Sequence, residues 1–520
     1  MIALLDVDLH GAGPVHDVAG IPDCGSILAT VRWLGTPVGY LAHPPTPERG
    51  SGHQLSRAIL ATLGDAILRR ATAQAMATTG LARRAPLADL PRDLASRPLP
   101  SLTVAVCTRD RPDDLARCLA ALARLDYPDL DVLVVDNSPR DRSVETLVRS
   151  RHPHVRYIAE PCPGLNWARR RAVEASGRDV LAFVDDDVVV EPGWARALGG
   201  ILGENPDVQA VTGLVMPLEL SHVPQQLFER AGGLGRGFER RWLRRRRDEL
   251  TASRFANTSS CGVGAAMAFR RAVFAQVGSF DPALGAGTAT GGGDDLDLFF
   301  RVLRAGHTLV YEPAAAARHR HRREMEALRS QLENWCRGML AYLERTRRAY
   351  PDEAGIIGRL AARLLTVYYP RRVLQSCFDY RPMLALALAE WRGARSGRQR
   401  YREALQQARD LATTFQRQYD DMAPERSLRV AHRQEGASPT GRAHVDLADP
   451  LPEALPNPEG HDAMEVTVTN DRRPVGTVVL VTGGHQVRRT RLADAIATAY
   501  GRALVGTDHP WRQELRHTLS

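Results

Sequence analysis

The hydrophobic pattern in the middle of the chain predicts buried strands alternating with amphipathic helices. Three short apolar runs stand at Leu102 to Cys107, in DVLVV before Asp136 and in DVLAFV before Asp185. Continuous apolar runs of this length are typical of parallel strands that helices cover on both faces. Leucines at helical spacing separate the first two runs. We therefore predict an α/β domain with a mostly parallel sheet over residues 101–323.

The pattern changes to helical spacing alone after residue 324. Met325, Leu328, Leu332 and Trp335 lie three or four positions apart and form one apolar stripe. Such stripes predict amphipathic helices that pack on a core, so residues 324–435 are interpreted as a helical extension.

A composition shift follows this extension. Residues 436–460 contain five prolines among small and acidic residues, which predicts a linker between the extension and residues 461–520.

The two ends of the chain resemble each other. Residues 1–100 and 461–520 each contain two β-rich runs followed by an amphipathic helix, and both have Pro-Val-Gly after the turn, at 37–39 and 474–476. We predict a small ββα unit at each end, paired with the other unit or flanking the central domain. Chance similarity is the alternative, because little beyond Pro-Val-Gly and the hydrophobic pattern matches.

The composition describes an ordinary globular protein. The 520 residues are 44% hydrophobic and 25% charged, which suggests two to four domains. The formal charge of +9 favours anionic partners without selecting one. Seven single cysteines without a CxxC pair argue against a disulfide scaffold or a structural zinc site. The N-terminus does not read as a secretory signal and no apolar run approaches the ~20 residues of a membrane span. We expect a cytoplasmic protein, at most peripheral at the inner face of the membrane.

Three adjacent carboxylates are the first candidates for a functional site. Asp185, Asp186 and Asp187 follow the third apolar run directly, where open α/β sheets bind ligands. Adjacent carboxylates repel each other, and a hard divalent cation such as Mg²⁺ or Mn²⁺ offsets that repulsion and bridges to phosphates. A solvated turn is the alternative, which the position after a buried strand disfavours.

A second acidic group follows a glycine run. Gly291–Gly293 permit close approach of the backbone to a ligand, and Asp294, Asp295 and Asp297 begin a predicted helix. These carboxylates could equally serve to complement the helix dipole. The histidines of the ARHRH segment are weak evidence for a metal by themselves.

Taken in order, these motifs resemble the inverting family 2 glycosyltransferases with the GT-A fold. The resemblance covers about residues 101–321, under half the chain. It rests on CTRDRP, VVDNS, FVDDD, GAAMAFRR, VGSFD, GGGDDLDLFFR and YEPAAAARHRH.

The resemblance implies a nucleotide-sugar donor site. Thr108, Arg109 and Asp136 would contact the nucleoside, and Asp185 would lie near the ribose and the metal. Arg169 would face the diphosphate. Its neighbour is an arginine where the family often has asparagine, which puts the local donor contacts in doubt.

The resemblance also implies the catalytic and metal-binding groups. Asp187 would coordinate Mn²⁺ or Mg²⁺, with His319 as a further ligand and His321 in reserve. Asp294 and Asp295 match the family's acidic pair, although the first member is usually glutamate, and Asp295 would be the general base.

A run of six arginines between 240 and 247 surrounds Trp242 and Leu243. It allows a contact with a phosphate-rich acceptor, an anionic membrane or a nucleic acid, and a solvated helix face is the plain alternative. A nucleic-acid partner is not expected, because no recognition module is visible and the carboxylates would stay unexplained.

The sequence therefore predicts a metal-dependent inverting glycosyltransferase that moves a sugar from a nucleotide diphosphate to an acceptor hydroxyl. The acceptor is a lipid carrier, a glycan or a small natural product, and a peripheral contact with an anionic membrane stays open. The alternative from another class is a catalytically degenerate protein that binds sugar nucleotides or acts as a scaffold.

Overall fold

The structure is a computed structural model. Cys24 and the arginines at 246 and 247 lie outside the residues that it describes. Among the helices it does describe, none is long and apolar enough to cross a membrane. The described residues are 2–9, 26–43, 51–78, 81, 87, 90, 99–245, 258–379, 381–417, 440–505 and 509–519.

The N-terminal unit is a three-stranded sheet with one helix on it. Its elements are β1 (Ile2–Asp8), β2 (Ser26–Trp33), β3 (Thr36–His43) and α1 (Ser51–Thr78). β1 runs parallel to β2, and β2 forms an antiparallel hairpin with β3. Apolar side chains of α1 pack on the inner face of the sheet and bury it.

Nine strands form the central sheet in the part of the chain that the structure describes. They are β4 (Leu102–Thr108), β5 (Leu130–Asn137), β6 (Arg156–Glu160), β7 (Val180–Asp185), β8 (Val188–Val190), β9 (Val208–Pro217), β10 (Arg241–Leu243), β11 (Ala266–Arg270) and β12 (Thr308–His319).

The central sheet is parallel in one half and mixed in the other. Strands β6, β5, β4 and β7 are parallel neighbours, as the apolar runs predict. Beyond β7, the antiparallel strand β11 separates β7 from the parallel pair β9 and β12. The short strands β8 and β10 pair antiparallel with β12. Six of the nine strands thus run in one direction, as the prediction of a mostly parallel sheet requires, and β8, β10 and β11 run in the opposite direction.

Helices cover both faces of this sheet. Along β4, Val104 and Val106 face one apolar core and Ala105 and Cys107 face the other, so alternate residues serve opposite layers. The helices are α2 (Pro112–Leu122), α3 (Ser143–Arg151), α4 (Leu165–Ala175), α5 (Trp194–Glu204), α6 (Val223–Arg230), α7 (Val273–Val277) and α8 (Asp294–Arg304).

The helical extension predicted from the apolar stripes is built on two long parallel helices. These are α9 (Met325–Ala349) and α12 (Arg381–Thr414), which pack along each other. Between them lie α10 (Ala354–Arg363), a π-helical turn (Leu364–Tyr368) and α11 (Tyr369–Ser376).

The C-terminal unit begins earlier than predicted. A strand, Gly441–Asp446, lies inside the interval interpreted as a linker, and Leu447, Leu451 and Leu455 there are buried. Proline composition alone misses this, because the strand is short and four of the five prolines of the interval lie after it. The unit contains β13 (Gly441–Asp446), β14 (Ala454–Leu455), β15 (Ala463–Asn470), β16 (Arg473–Val481), β17 (Val487–Arg488), α13 (Arg489–Leu504) and α14 (Pro510–Leu519).

The two terminal units share one topology. In the C-terminal unit β13 runs parallel to β15, and β15 forms a hairpin with β16, as β1, β2 and β3 do at the other end. Both hairpins carry a register shift at the same place. Val31 pairs with Gly39 just before the shift, as Val468 pairs with Gly476. Each unit is thus βββα, one strand longer than the ββα pattern in the sequence.

The same close packing requires glycine in the Pro-Val-Gly of both units. A Cβ on Gly39 would lie 2.4 Å from the side chain of Leu63 in α1, and one on Gly476 would lie 2.3 Å from Tyr500 in α13. The covering residue follows its glycine by the same number of residues in both units. The helices α1 and α13 also pack on each other. Shared topology, register and packing favour a duplicated unit over chance similarity.

The described arginines of the run form internal hydrogen bonds and ion pairs and are not a free basic patch. Arg240 binds Glu312 and, at 3.0 Å, Asp494 of α13, and Arg244 binds Asp207 at 3.3 Å. Arg245 donates to Glu353 and Arg241 to a backbone carbonyl. Residues Arg241–Leu243 of the run form a strand at the sheet edge and not a helix, and the described arginines on either side are bound to acidic side chains, so neither a solvated helix face nor an open anion-binding patch describes this part.

Candidate functional site

The predicted site residues are brought together by the ends of parallel strands. Thr108 at the end of β4 lies beside Asp136 of β5, and Cys107 lies beside Asp185 of β7. After β7 the chain turns through the acidic triplet into β8. Because β8 pairs with the end of β12, His319 comes next to the triplet.

These residues line a cavity of about 680 Å³ at this edge of the sheet. The glycine-rich loop before α8 and one side of α9 form its other walls. The predicted site residues that line it are Thr108, Arg109, Arg169, Asp185, Asp187, Asp294, Asp295 and His319.

Asp136 is the predicted residue that does not line the cavity. Its side chain is fully buried, and its Oδ2 accepts a hydrogen bond of 3.0 Å from the hydroxyl of Tyr157. Its Oδ1 has no hydrogen-bond partner among the described residues, and burial raises the pKa of the carboxyl group. The neighbouring Asn137 faces the cavity instead, and its side chain holds the loop before α4 through Cys162 and Gly164.

The members of the acidic triplet are held differently. Asp186 accepts hydrogen bonds from Thr108 Oγ1 at 2.7 Å and from Arg111 at 2.6 Å. Burial nevertheless raises its pKa to about 6. Burial, with the neighbouring carboxylates adding to it, raises the pKa of Asp185 to about 7. Burial also acts to raise the pKa of Asp187, but His319 and Arg111 outweigh it, so that pKa is lowered.

A chain of hydrogen bonds orients His319. Its Nε2 lies 3.3 Å from Asp187 Oδ1, and its Nδ1 lies 2.9 Å from Nδ1 of His321. His321 Nε2 lies 2.8 Å from Glu229 Oε1. A carboxylate can only accept, so Nε2 of His321 carries a proton. When both rings are neutral, Nδ1 of His321 accepts from Nδ1–H of His319, and Nε2 of His319 then presents a lone pair to Asp187. His321 does not line the cavity.

The guanidinium group of Arg169 binds carboxylates on both sides of the site. Its guanidinium binds Asp294 and also donates to Asp185 Oδ1 at 3.3 Å, and its side chain is buried. It lies over the rings of Phe183 and Phe280. The group predicted to face the donor diphosphate therefore joins the two acidic groups of the site across the cavity wall.

Asp295 is aimed by backbone amides. Gly264 N–H donates to its Oδ2 and Leu296 N–H to its Oδ1, both at 2.8 Å. Burial, with Asp294 next to it, raises the pKa of Asp295 to about 6. A carboxylate with a raised pKa and free lone pairs at a cavity wall can accept a proton from a bound hydroxyl.

The glycine-rich loop approaches a helix closely, besides lining the cavity. A Cβ on Gly293 would lie 2.4 Å from the carbonyl oxygen of Gly338 in α9, and one on Gly338 would meet the backbone of Gly292 at the same distance. Gly291 and Gly293 also have positive φ angles of 69° and 90°. The sequence interpretation of these glycines as room for a ligand omitted this packing.

The sequence motifs assigned no function to several cationic residues that line the cavity. Arg111 bridges Asp186 and Asp187, and Arg322 lies 3.9 Å from Asp187. Arg236 also lines the cavity, held by backbone carbonyls such as that of Ser259 at 2.6 Å. Arg111 stands inside the quoted CTRDRP motif, so its position was a usable signal. Arg236 lies in a stretch without a motif and gave none.

Comparisons with known proteins identify the section that holds this cavity. Residues 100–338 match the sequence model of the family described as glycosyltransferase like family 2. Over 252 residues the chain is 26% identical to an N-acetylglucosaminyltransferase of Rhizobium leguminosarum bv. viciae, which covers 45% of this chain and 55% of that protein. Over 184 residues it is 27% identical to a glucosyl-dolichyl phosphate glucuronosyltransferase of Haloferax volcanii, which covers 35% of this chain and 56% of that protein. The chain spans about half the length of these curated relatives.

Among solved structures, the fold is similar to a mannosyltransferase from Pyrobaculum calidifontis in complex with GDP-Man and Mn²⁺. The TM-score is 0.40 at 15% identity, covering 66% of this chain and 98% of that one. The observed α/β sheet and the family match confirm the predicted GT-A fold class. Residues 100–338 therefore form a section that matches glycosyltransferase family 2, as the motifs predict.

Proposed function

We propose that the chain transfers a sugar from a nucleotide diphosphate to an acceptor hydroxyl, with a divalent metal and with inversion at the anomeric carbon. The observation that carries this proposal is a single cavity, in the family 2 section, lined by both acidic groups and by His319. The acidic triplet supplies oxygen ligands at one side, and Asp295 supplies a proton acceptor at the other.

The residues at the triplet fit a divalent cation. His319 Nε2 and the carboxylate oxygen of Asp187 lie 3.3 Å apart, close enough for both to bind one cation when Nε2 carries no proton. Among the described residues, no three His, Cys, Asp or Glu side chains form a metal site by themselves. Mg²⁺ keeps waters and binds substrate phosphates alongside one or two protein carboxylates, and Mn²⁺ accepts similar oxygen ligands. Such an ion would neutralise charge on the departing nucleoside diphosphate.

The chain's own residues supply the proton transfer. The acceptor hydroxyl gives its proton to Asp295 as its oxygen forms the bond to the anomeric carbon. The bond from that carbon to the diphosphate oxygen breaks, and the electron pair leaves with the diphosphate. No covalent intermediate is needed, which is why one displacement inverts the centre. Arg169 binds Asp294 and holds it in place beside the base.

The donor nucleoside belongs at the ends of β4 and β5. Thr108, Arg109 and Asn137 line the cavity there. The unpaired Oδ1 of Asp136 lies just behind them, and a buried acceptor without a partner is stabilised by a donor group such as a base N–H. We assign Asp136 to the nucleoside on that basis.

A thermal-shift screen of nucleotide sugars with and without Mn²⁺ tests this function, combined with turnover of two variants. We expect stabilisation by at least one nucleotide sugar that grows with Mn²⁺. Asp187→Asn should lose the metal-dependent part of that shift, whereas Asp295→Asn should keep the shift and lose turnover by roughly 10²- to 10⁴-fold. Turnover retained in both variants would exclude these roles. A shift without any turnover in the wild type would favour the sugar-nucleotide-binding scaffold.

A further inference from the structure

The outward face of the short helices between α9 and α12 is apolar, although it faces solvent in the described structure. Val367 is 54% exposed, Leu374 is 62% exposed and Phe378 is 88% exposed. Spacings of seven and four residues place them on one side of the helical run, with Tyr368 next to them at 51%. We call Val367, Tyr368, Leu374 and Phe378 the apolar face.

The opposite side of the same run is fixed to the protein. Ile357, Ala361 and Tyr369 are buried in the core that α9 and α12 share. Arg372 forms an ion pair with Glu390 of α12. The run therefore cannot rotate to bury the apolar face without losing this core, and the exposure is a property of the folded unit.

The charge around the apolar face is strongly positive. Residues 354–384 contain five arginines and a single acidic residue, Asp379. Four of these arginines, Arg359, Arg363, Arg371 and Arg381, are exposed, and they form no ion pair within the described part of the chain. Asp379 is partly neutralised by Arg230 at 3.4 Å.

We propose that the apolar face docks on an anionic membrane surface. Aromatic and aliphatic side chains beside arginines are the composition of an interfacial helix, whose apolar side enters the headgroup boundary while the guanidinium groups bind lipid phosphates. A second copy of the chain fits less well, because two such faces would bring the unpaired arginines together. The arginine run at β10, which the sequence offered for this role, is already used in internal ion pairs.

The docking surface lies on the back of a cavity wall. Tyr369, on the buried side of the run, lines the cavity together with Cys336 and Met339 of α9. The side chains of a helix span about 10–12 Å. A membrane bound at the apolar face is therefore about one helix diameter from the cavity.

Vesicle sedimentation of the full chain tests the docking. We expect binding to vesicles of phosphatidylcholine with one quarter phosphatidylglycerol, much weaker binding to pure phosphatidylcholine, and loss of binding with rising salt. Leu374→Glu with Phe378→Glu should weaken binding to the anionic vesicles at least tenfold. Arg363→Glu with Arg371→Glu should do the same. The matched control is Val479→Glu, because Val479 is 58% exposed on β16, away from this face.

Several results would overturn the docking. Absence of binding to the anionic vesicles would do so, as would equal binding by the wild type and both double variants. Light scattering tests whether a second copy of the chain binds the apolar face instead. If the wild type is a dimer and Leu374→Glu with Phe378→Glu makes it a monomer without changing vesicle binding, the face belongs to a second copy.

The experiments can exclude the membrane docking and the proposed function independently of each other. The double variant at 374 and 378 should keep the thermal shift with nucleotide sugars. A chain that binds vesicles and no nucleotide sugar would retain the docking and lose the proposed function, and the reverse result would lose the docking alone.

Discussion

At the residue scale, the site balances carboxylates against guanidinium groups. Arg169 joins Asp185 to Asp294, and Arg111 joins Asp186 to Asp187, so each acidic group has a built-in cation. These pairs offset part of the repulsion among the carboxylates. The adjacency of the three aspartates was readable from the sequence, whereas their partners come from elsewhere along the chain.

The raised pKa of Asp295 leads to a pH prediction. A general base must be deprotonated, so turnover at saturating metal should fall as the pH drops through about 6. The measurement is kcat/KM between pH 5 and 8, with the thermal-shift signal of donor binding followed in parallel. An acidic limb near pH 4, the ordinary range of aspartate, would show that Asp295 is not the titrating base.

The hydrogen-bond chain behind His319 gives a second prediction at this scale. His321→Ala should weaken Mn²⁺ binding about 10- to 100-fold, because His319 loses the hydrogen-bond partner that orients its ring. Calorimetric titration of Mn²⁺ measures this without any turnover. His307→Ala is the control, since His307 lies just before β12 and contacts Gln276 instead. Unchanged Mn²⁺ affinity in His321→Ala would remove His321 from the site.

At the scale of elements, the cavity depends on how α9 packs against the loop before α8. Gly338 allows the backbone of this helix to touch Gly292. The carboxylates at the start of α8 also divide between two jobs. Asp297 is buried and binds Arg301 and Arg345, both at distances of 2.8–2.9 Å, so it serves structure, whereas Asp295 faces the cavity. The dipole interpretation of the acidic cluster left out these ion pairs.

A valine at Gly338 should push α9 away from the loop. Overpacking of this kind costs about 1–3 kcal/mol, so the melting temperature should fall, and the thermal shift with nucleotide sugars should shrink because the cavity wall moves. Gly358→Ala is the matched control, since Gly358 is also helical and a Cβ there meets nothing within 4 Å. That variant should keep or slightly raise the melting temperature. Equal behaviour of the two variants would mean that the contact at Gly338 does not shape the cavity.

At the scale of the whole molecule, the duplicated unit at the C-terminus is docked on the central domain by charge. Asp207 lies just before β9 and binds both Arg244 and Arg491, each at 3.3 Å. On the other side, Asp494 of α13 accepts hydrogen bonds from Arg240 and Trp242. All three arginines of these pairs are largely buried. The sheet edge at β10 is thereby covered.

Removal of Asp207 should loosen this joint. In Asp207→Ala two buried guanidinium groups lose their counter-ion, which costs about 3–5 kcal/mol when a buried pair is broken. We expect a lower urea midpoint, or a separate early transition of the C-terminal unit. Asp126→Ala removes an exposed partner of Arg196 and should leave the midpoint unchanged. A midpoint that stays constant in Asp207→Ala would show that apolar packing alone holds the unit.

Much of the architecture could be predicted from local patterns. Apolar runs gave the strands β4, β5 and β7, since burial on both faces requires continuous hydrophobicity. Pro-Val-Gly and its flanking pattern located both terminal hairpins. The strand Gly441–Asp446 was missed because a short edge strand with polar residues has little hydrophobic signal. Most of the named site residues lie together in the cavity because parallel strands must end at the same sheet edge.

The sequence by itself determined which chemical groups exist and near which strand ends they fall, because these depend on residue type and short-range periodicity. Only the tertiary structure decided how they pair. Asp187 meets His319 because β8 pairs with β12, and Arg240 is buried because α13 covers the sheet edge. Strand order and domain docking depend on contacts between distant segments, which leave no local pattern. The exposure of Phe378 also depends on such contacts, so only the folded helical extension shows that this side chain faces solvent.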